Sequence, residues 1–394
     1  MKETFKLYQE TPMWHFQARE KHATLRATEL KPKLDRFLIK WWERKYGGKL
    51  YEKKKEWLID GEHLAFDYRV TIVSKENTKA EFTKPDDKYN DTLFLGNIRP
   101  RGQEAPYLLV KDKANMVTLN VMTFHRGLMN LIKEALPTFF LLTNFGTRQD
   151  KGFGSFVLQD SRREAEQLLT DWYGDRLVYM LDYHSTNIAH DTARLFHDID
   201  AIYKVLKSGI NFGAYVKSYL TLYFLQKGIG GEKRFIKTHH IGPIMGTHQH
   251  EHQQTERIPD DHYRYIRALL GATDGETWNR SEKIKFAHVA GRAGQAIDRI
   301  PSPLVFKPVG SRLFILVNEL PQAILGETYH LSSRRGQGDI RIPSAGEFDM
   351  VEIMNGFMDY LNSDAVRDEL RRMRNGCTFV AQNVQMAVCK GGEH

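Results

Sequence analysis

A chain of 394 residues is too long for one ordinary core and implies two domains, with a third as an option. Its 41% hydrophobic and 27% charged residues are the balance of a globular protein that buries a sizeable interior, which excludes dominant disorder. Lysine and arginine number 57 against 49 aspartates and glutamates, a net charge of +8 that biases the surface toward polyanions.

From Thr4 to Gln9, Phe5 and Leu7 alternate with polar neighbours, the pattern of a short strand that ends at Thr11 and Pro12. Thr28 and Glu29 then open a helical pattern whose stripe is Leu30, Leu34, Phe37, Leu38 and Trp41, and Gly47 and Gly48 stop it. Strand periodicity returns in Leu64, Phe66, Tyr68, Val70 and Ile72, and again in Val117, Leu119 and Val121. Phe124, Leu128, Leu131, Ile132 and Leu136 form a second helical face, followed by the apolar run Phe139 to Leu142. After a glycine-rich turn, Phe153, Phe156 and Leu158 predict a strand. The order strand, helix, strand, strand, helix, strand is ferredoxin-like.

Beyond Asp160 the segments 161–172, 190–206 and 215–226 favour helix, and 228–257 reads as a long loop rich in Gly, His and Gln. Strand-like runs resume at 304–307 and 313–317, a helix covers about 347–374, and 377–388 reads as a strand. The expected layout is therefore α+β, with two ferredoxin-like (RRM-like) domains and a helical insertion. Its boundaries are 1–160, 161–285 for the insertion with its His-rich loop, and 286–394. Cys377 and Cys389 cannot build a disulfide framework or a four-cysteine zinc site. No window approaches the roughly 18 apolar residues that a membrane span needs, and the expectation is a cytoplasmic protein without a cofactor.

The stretch from Gly146 to Phe156, GTRQDKGFGSF, is the most informative in the chain. Glycines at Gly146, Gly152 and Gly154 permit positive φ and close approach of a ligand to the backbone. Successive N–H groups in such a turn make an anion nest; Arg148 and Lys151 add charge, Gln149 and Ser155 add hydrogen bonds, and Phe153 is placed to stack on a base. The spacing is neither that of a P-loop nor that of a dinucleotide fingerprint, so the chemistry points to RNA rather than to an NTP or NAD. A tight turn with incidental basic residues is the alternative.

A loop of this composition before the last strand of a ferredoxin-like domain resembles the glycine-rich loop of the RAMP superfamily of CRISPR effector subunits. The segment from Ala23 to Lys31, ATLRATELK, resembles the junction of first strand and first helix in the same superfamily. That likeness is greatest in the subunit that caps the guide 3′ end of Cmr complexes. The stretch from Ile300 to Lys307, IPSPLVFK, resembles a later part of that subunit. The resemblance implies a pair of ferredoxin-like domains, contact with guide RNA and with target RNA as a second candidate, and other CRISPR effector subunits as partners. It departs at His22 and Ala23, where relatives often carry glycine, and at 207–282, which matches nothing recognisable.

On this reading Arg19, Lys21, Arg26 and Lys31, around the start of the first helix, join the turn in gripping guide phosphates. Further basic residues, Lys33, Arg36, Lys40, Arg44 and Lys45, alternate with aromatics along that helix, although Glu43 dilutes the charge. Two catalytic alternatives stand beside the scaffold. RAMP relatives that process guide precursors use a histidine near the first helix, which points to His15 or His22 as general acid or base of an endoribonuclease. Backbone subunits cut target with a loop carboxylate, for which Asp86, Asp87 and Asp91 are available. His248, His250 and His252 alternate on one segment and form a metal-site alternative that lacks a defined fourth ligand.

Overall fold

The computed structural model describes the chain apart from residues 15–23, 61–63, 75–76, 83–106, 113–114, 175–177, 184–191, 212, 242–257, 274–276, 279–283, 290–298, 373–378 and 384–394. It is a mixed α and β protein that divides into two compact units. One comprises residues 1–200, 305–316 and 382–394, the other 201–304 and 317–381.

In the first unit, β1 (Lys2–Gln9) leads to α1 (Ala27–Tyr46), then β2 (Arg69–Ser74), β3 (Met116–Met122), α2 (Arg126–Leu142) and β4 (Phe156–Leu158). The strands form one antiparallel sheet in the order β2-β3-β1-β4. Alternation explains its packing. Leu7, Val117, Leu119 and Val121 turn inward against Leu30, Leu34, Phe37 and Leu38 of α1 and Leu128, Ile132 and Phe139 of α2. The four α1 residues recur at the spacing that keeps one helical face on a sheet. Gly47, at φ 68, ends that helix where the sequence expects it.

α2 runs on through Pro137 to Leu142, so the apolar run 139–142 is the last turn of the helix rather than a separate segment. Its residues Phe139, Phe140 and Leu141 are buried, and packing outweighs the one backbone hydrogen bond that the proline removes.

A second sheet follows, most of it in the same unit. After α3 (Ala165–Tyr173) and β5 (Val178–Asp182) come α4 (Thr192–Lys207), β6 (Leu304–Val309), β7 (Arg312–Val317) and β8 (Val380–Asn383). The sheet order is β6-β7-β5-β8, and β5 pairs antiparallel with β7 from Val178↔Leu316 to Asp182↔Arg312. This pairing brings a strand from within 161–285 between strands from within 286–394. In both sheets the first strand lies between the third and the fourth.

The second unit holds a six-stranded sheet in the order Gly230–Gly231, Tyr263–Arg264, Gln337–Arg341, Thr328–Ser332, Ile284–His288 and Thr277–Trp278. The helix expected over 347–374 is divided into Met350–Asn362, capped by the Asp349 carboxylate, and Asp364–Arg372. The hydroxyl of Tyr223, on the helix Tyr219–Gln226, donates to Glu352 over 2.7 Å. Among the described residues no helix is long and apolar enough to cross a membrane.

Candidate nucleic-acid interface

The glycine-rich turn between α2 and β4 closes on itself. Phe145 N donates to Gly154 O over 3.0 Å, and Asn144 and Ser155 form an isolated antiparallel bridge. Gly146, Gly152 and Gly154 all have positive φ, at 81°, 86° and 64°, as the sequence predicts, and Arg148 joins them at 57°. At Gly154 the requirement is also steric, because a Cβ there would lie 2.0 Å from Phe145 O.

The second half of the turn is an anchor. Thr11 Oγ1 donates to Gly152 O over 2.6 Å and accepts from Ser155 N over 3.0 Å, Gly154 N donates to Pro12 O, and Ser155 Oγ donates to Pro308 O. Phe153 is buried and lies flat on Phe196 of α4, with centroids 3.9 Å apart and planes 10° apart. A face of the ring on which the sequence expects a base to stack is thus occupied by Phe196. Lys151 is also buried, with Nζ 3.2 Å from Asp150 Oδ2, and burial lowers its pKa more than the Asp150 charge raises it. Gly152, Gly154 and Ser155 thus hold the turn to the protein, with Lys151 buried beside Asp150.

Lys307 anchors the other side. Its ammonium group, wholly buried in β6, donates to Thr143 O, Asn144 Oδ1 and Phe156 O at 3.1, 3.1 and 2.9 Å. Asn144 Nδ2 donates to Phe306 O and to Gln149 O, and Phe306 N donates to Asp150 O. A lysine within the apolar strand LVFKPV was the signal that it is a structural cation.

The first half stays open. Gly146, Thr147 and Arg148 are half-buried and Gln149 is exposed. Beside them is the start of α1, where Glu29 Oε1 accepts from Gly146 N over 2.8 Å and from Lys33 Nζ over 2.9 Å. Lys33 Nζ also donates to Asn144 O and Gln149 Oε1, at 3.1 and 2.6 Å. Glu29 and Lys33 are thus turn residues that the reading of the site overlooked; their i, i+4 spacing in ELKPK was the available signal.

Arg26, the residue before α1, is exposed. Lys31 faces elsewhere: its Nζ is 2.9 Å from both Asp35 Oδ2 and Phe66 O and sits over the Tyr68 ring. Burial raises the Asp35 pKa despite that lysine.

His15, Arg19, Lys21, His22, Asp86, Asp87, Asp91, His248, His250 and His252 lie outside the described residues. Among those described, no group of three or more His, Cys, Asp or Glu is arranged to hold a metal ion.

Comparison with known proteins places these features in a family. The model of the Cmr1 N-terminal domain matches residues 1–210, and that of the Cmr1 C-terminal domain matches residues 215–383. The crystal structure of Cmr1 from Pyrococcus furiosus in its apo form is similar at 11% identity and a TM-score of 0.36, over 82% of this chain and 90% of that one. No curated protein matches the chain.

Proposed function

The chain belongs to the Cmr1 family of Cmr-type RAMP subunits in type III CRISPR effectors, and from that premise we propose that it holds guide RNA by its backbone, with target RNA as a further ligand. The observation that carries the reading is the division of the glycine-rich turn. Its buried half is fixed by Thr11 and Pro308 and its two flanks by Lys307, which leaves Gly146, Thr147 and Arg148 half-buried and Gln149 exposed beside α1.

A turn fixed in this way loses little conformational entropy when a ligand docks. Arg148 and Arg26 supply charge to phosphate, and Gln149 supplies an exposed amide. Glu29 would repel phosphate, but it already accepts from Lys33 and Gly146 N. Backbone contacts of this kind carry no sequence information, so base pairing between guide and target would supply it.

We read both four-stranded sheets as ferredoxin-like units, because each is laid down as strand, helix, strand, strand and has its first strand between the third and fourth. Other effector subunits are the proposed protein partners. The test is RNA affinity as a function of salt for Arg26→Ala with Arg148→Ala. Loss of two phosphate contacts lowers the log–log salt slope by about 1.4 for a single strand. An unchanged slope and affinity would remove the turn from the interface.

A further inference from the structure

We propose that the open face of the first sheet, remote in sequence from the glycine-rich turn, is a second RNA surface that takes an unpaired strand. This rests on the reading of the chain as an RNA-holding subunit.

Strand alternation puts one row of side chains against α1 and α2 and the other on the opposite face. The outward row is nearly continuous: Lys2 pairs with Met122 and Met122 with Arg69, Thr4 with Asn120 and Asn120 with Thr71, Lys6 with Thr118 and Thr118 with Val73. Lys2, Thr4, Lys6, Arg69 and Thr71 are exposed. No outward position on these three strands is a carboxylate, and among the described residues Lys2, Lys6 and Arg69 make no ion pair. Tyr8, at the other end of β1, packs on the buried cluster of the second sheet, which bounds the open area.

Charge and composition select the occupant. A sheet face destined for the core of a protein interface is depleted in lysine and rich in apolar side chains, whereas this one sets three cations among three threonines and an asparagine, groups that bond phosphate and ribose, with Met122 and Val73 as its apolar members. Phe124, two residues beyond Met122 at the end of β3, is 87% exposed. An aromatic ring open at the margin of a basic sheet offers a base a stacking partner, the usual means of holding unpaired RNA without reading its sequence.

The test uses the full chain and an unstructured oligouridine probe, read by fluorescence anisotropy across a salt series. Lys6→Glu with Arg69→Glu is expected to weaken binding at least about tenfold and to lower the salt slope by about 1.4. Phe124→Ala is expected to weaken binding by about 5- to 150-fold at an unchanged slope, because stacking releases no counterions. Arg148→Ala serves as the turn control.

If the wild-type chain binds no RNA, the functional reading and this surface both fall. If it binds, and only Arg148→Ala weakens it, the sheet face is overturned while the reading stands. If the face variants bind the probe normally but no longer enter the effector complex, the face belongs to a protein partner and the proposal is likewise overturned.

Discussion

The ammonium nitrogen of Lys307 lies 3.1 Å from the side-chain oxygen of Asn144, so a strand from the distal part of the chain grips the opening of the glycine-rich turn from within the core. Its partners are neutral oxygens. Complete burial therefore pushes the Lys307 pKa well below the usual lysine value, and the more distant Glu10 offsets this only in part. Such a lysine holds its proton less tightly in the folded chain than in the unfolded one. As pH climbs from the depressed value toward the ordinary 10.5, a penalty is removed and the fold gains stability. Lys307→Met is expected to destabilise the chain by about 2 kcal/mol near neutrality, through the acceptors it leaves unpaired. Urea unfolding at a series of pH values should show the wild-type advantage widening up to about pH 10. A constant or shrinking gap would mean that Lys307 keeps its proton throughout.

Glu10 poses the opposite problem, a carboxylate with no exposure at its side chain. It accepts from Arg162 Nε and Nη2 at 2.6 and 3.1 Å and from Gly310 N at 3.2 Å. Arg162→Ala strands that charge, and a loss of about 3–5 kcal/mol is expected. The double variant Glu10→Gln with Arg162→Met should be closer to wild type than Arg162→Ala alone. Denaturant titration of the three chains distinguishes a strained charge from a simple loss of packing, for which the double variant would be the worst.

The elements legible in the sequence are those with one wet face. β1, β2, β3 and α1 each present alternating or helical apolar stripes, and each is found within a few residues of its expected place. β5 was missed because Val178, Tyr179, Met180 and Leu181 are all buried, and a strand covered on both faces carries no alternation to distinguish it from helix. Its partner β7 begins 130 residues after β5 ends, counting from Asp182 to Arg312, so no local signal could restore the pairing. Within the turn, the positive-φ glycines followed from residue type, but the division into a buried half and an open half depended on Thr11, Phe196 and Lys307, which reach it from distant positions.

The glycines themselves separate backbone strain from steric exclusion. Gly47 and Gly154 have almost equal φ, 68° and 64°, yet a Cβ at Gly47 meets nothing within 4 Å and one at Gly154 strikes Phe145 O at 2.0 Å. Gly47, at φ 68° and ψ 158°, lies in a region essentially reserved for glycine, so Gly47→Ala should cost the backbone strain alone, about 1–3 kcal/mol. Gly154→Ala must open the bridge between Asn144 and Ser155, and a several-fold larger loss of stability is expected, seen as a much lower Tm. Equal effects at the two positions would show that the turn yields readily and is not the rigid cradle described above.

Phe153 gives the sharpest distinction between architecture and recognition. As the residue between two anchoring glycines it looks suited to stacking on a base, but its ring is spent on Phe196 and only 1% of its surface is accessible. Truncation to alanine leaves a cavity between the turn and α4, and large aromatic deletions of this kind cost about 3–5 kcal/mol. Phe153→Leu keeps most of the volume and loses the ring stacking, so its cost should be smaller. The RNA affinity of folded Phe153→Leu is then expected to match wild type within about twofold, because no face of the ring was offered to a base. A tenfold loss of affinity in a stably folded Phe153→Leu chain would mean that the ring leaves Phe196 when RNA docks, and that the buried half of the turn opens on binding.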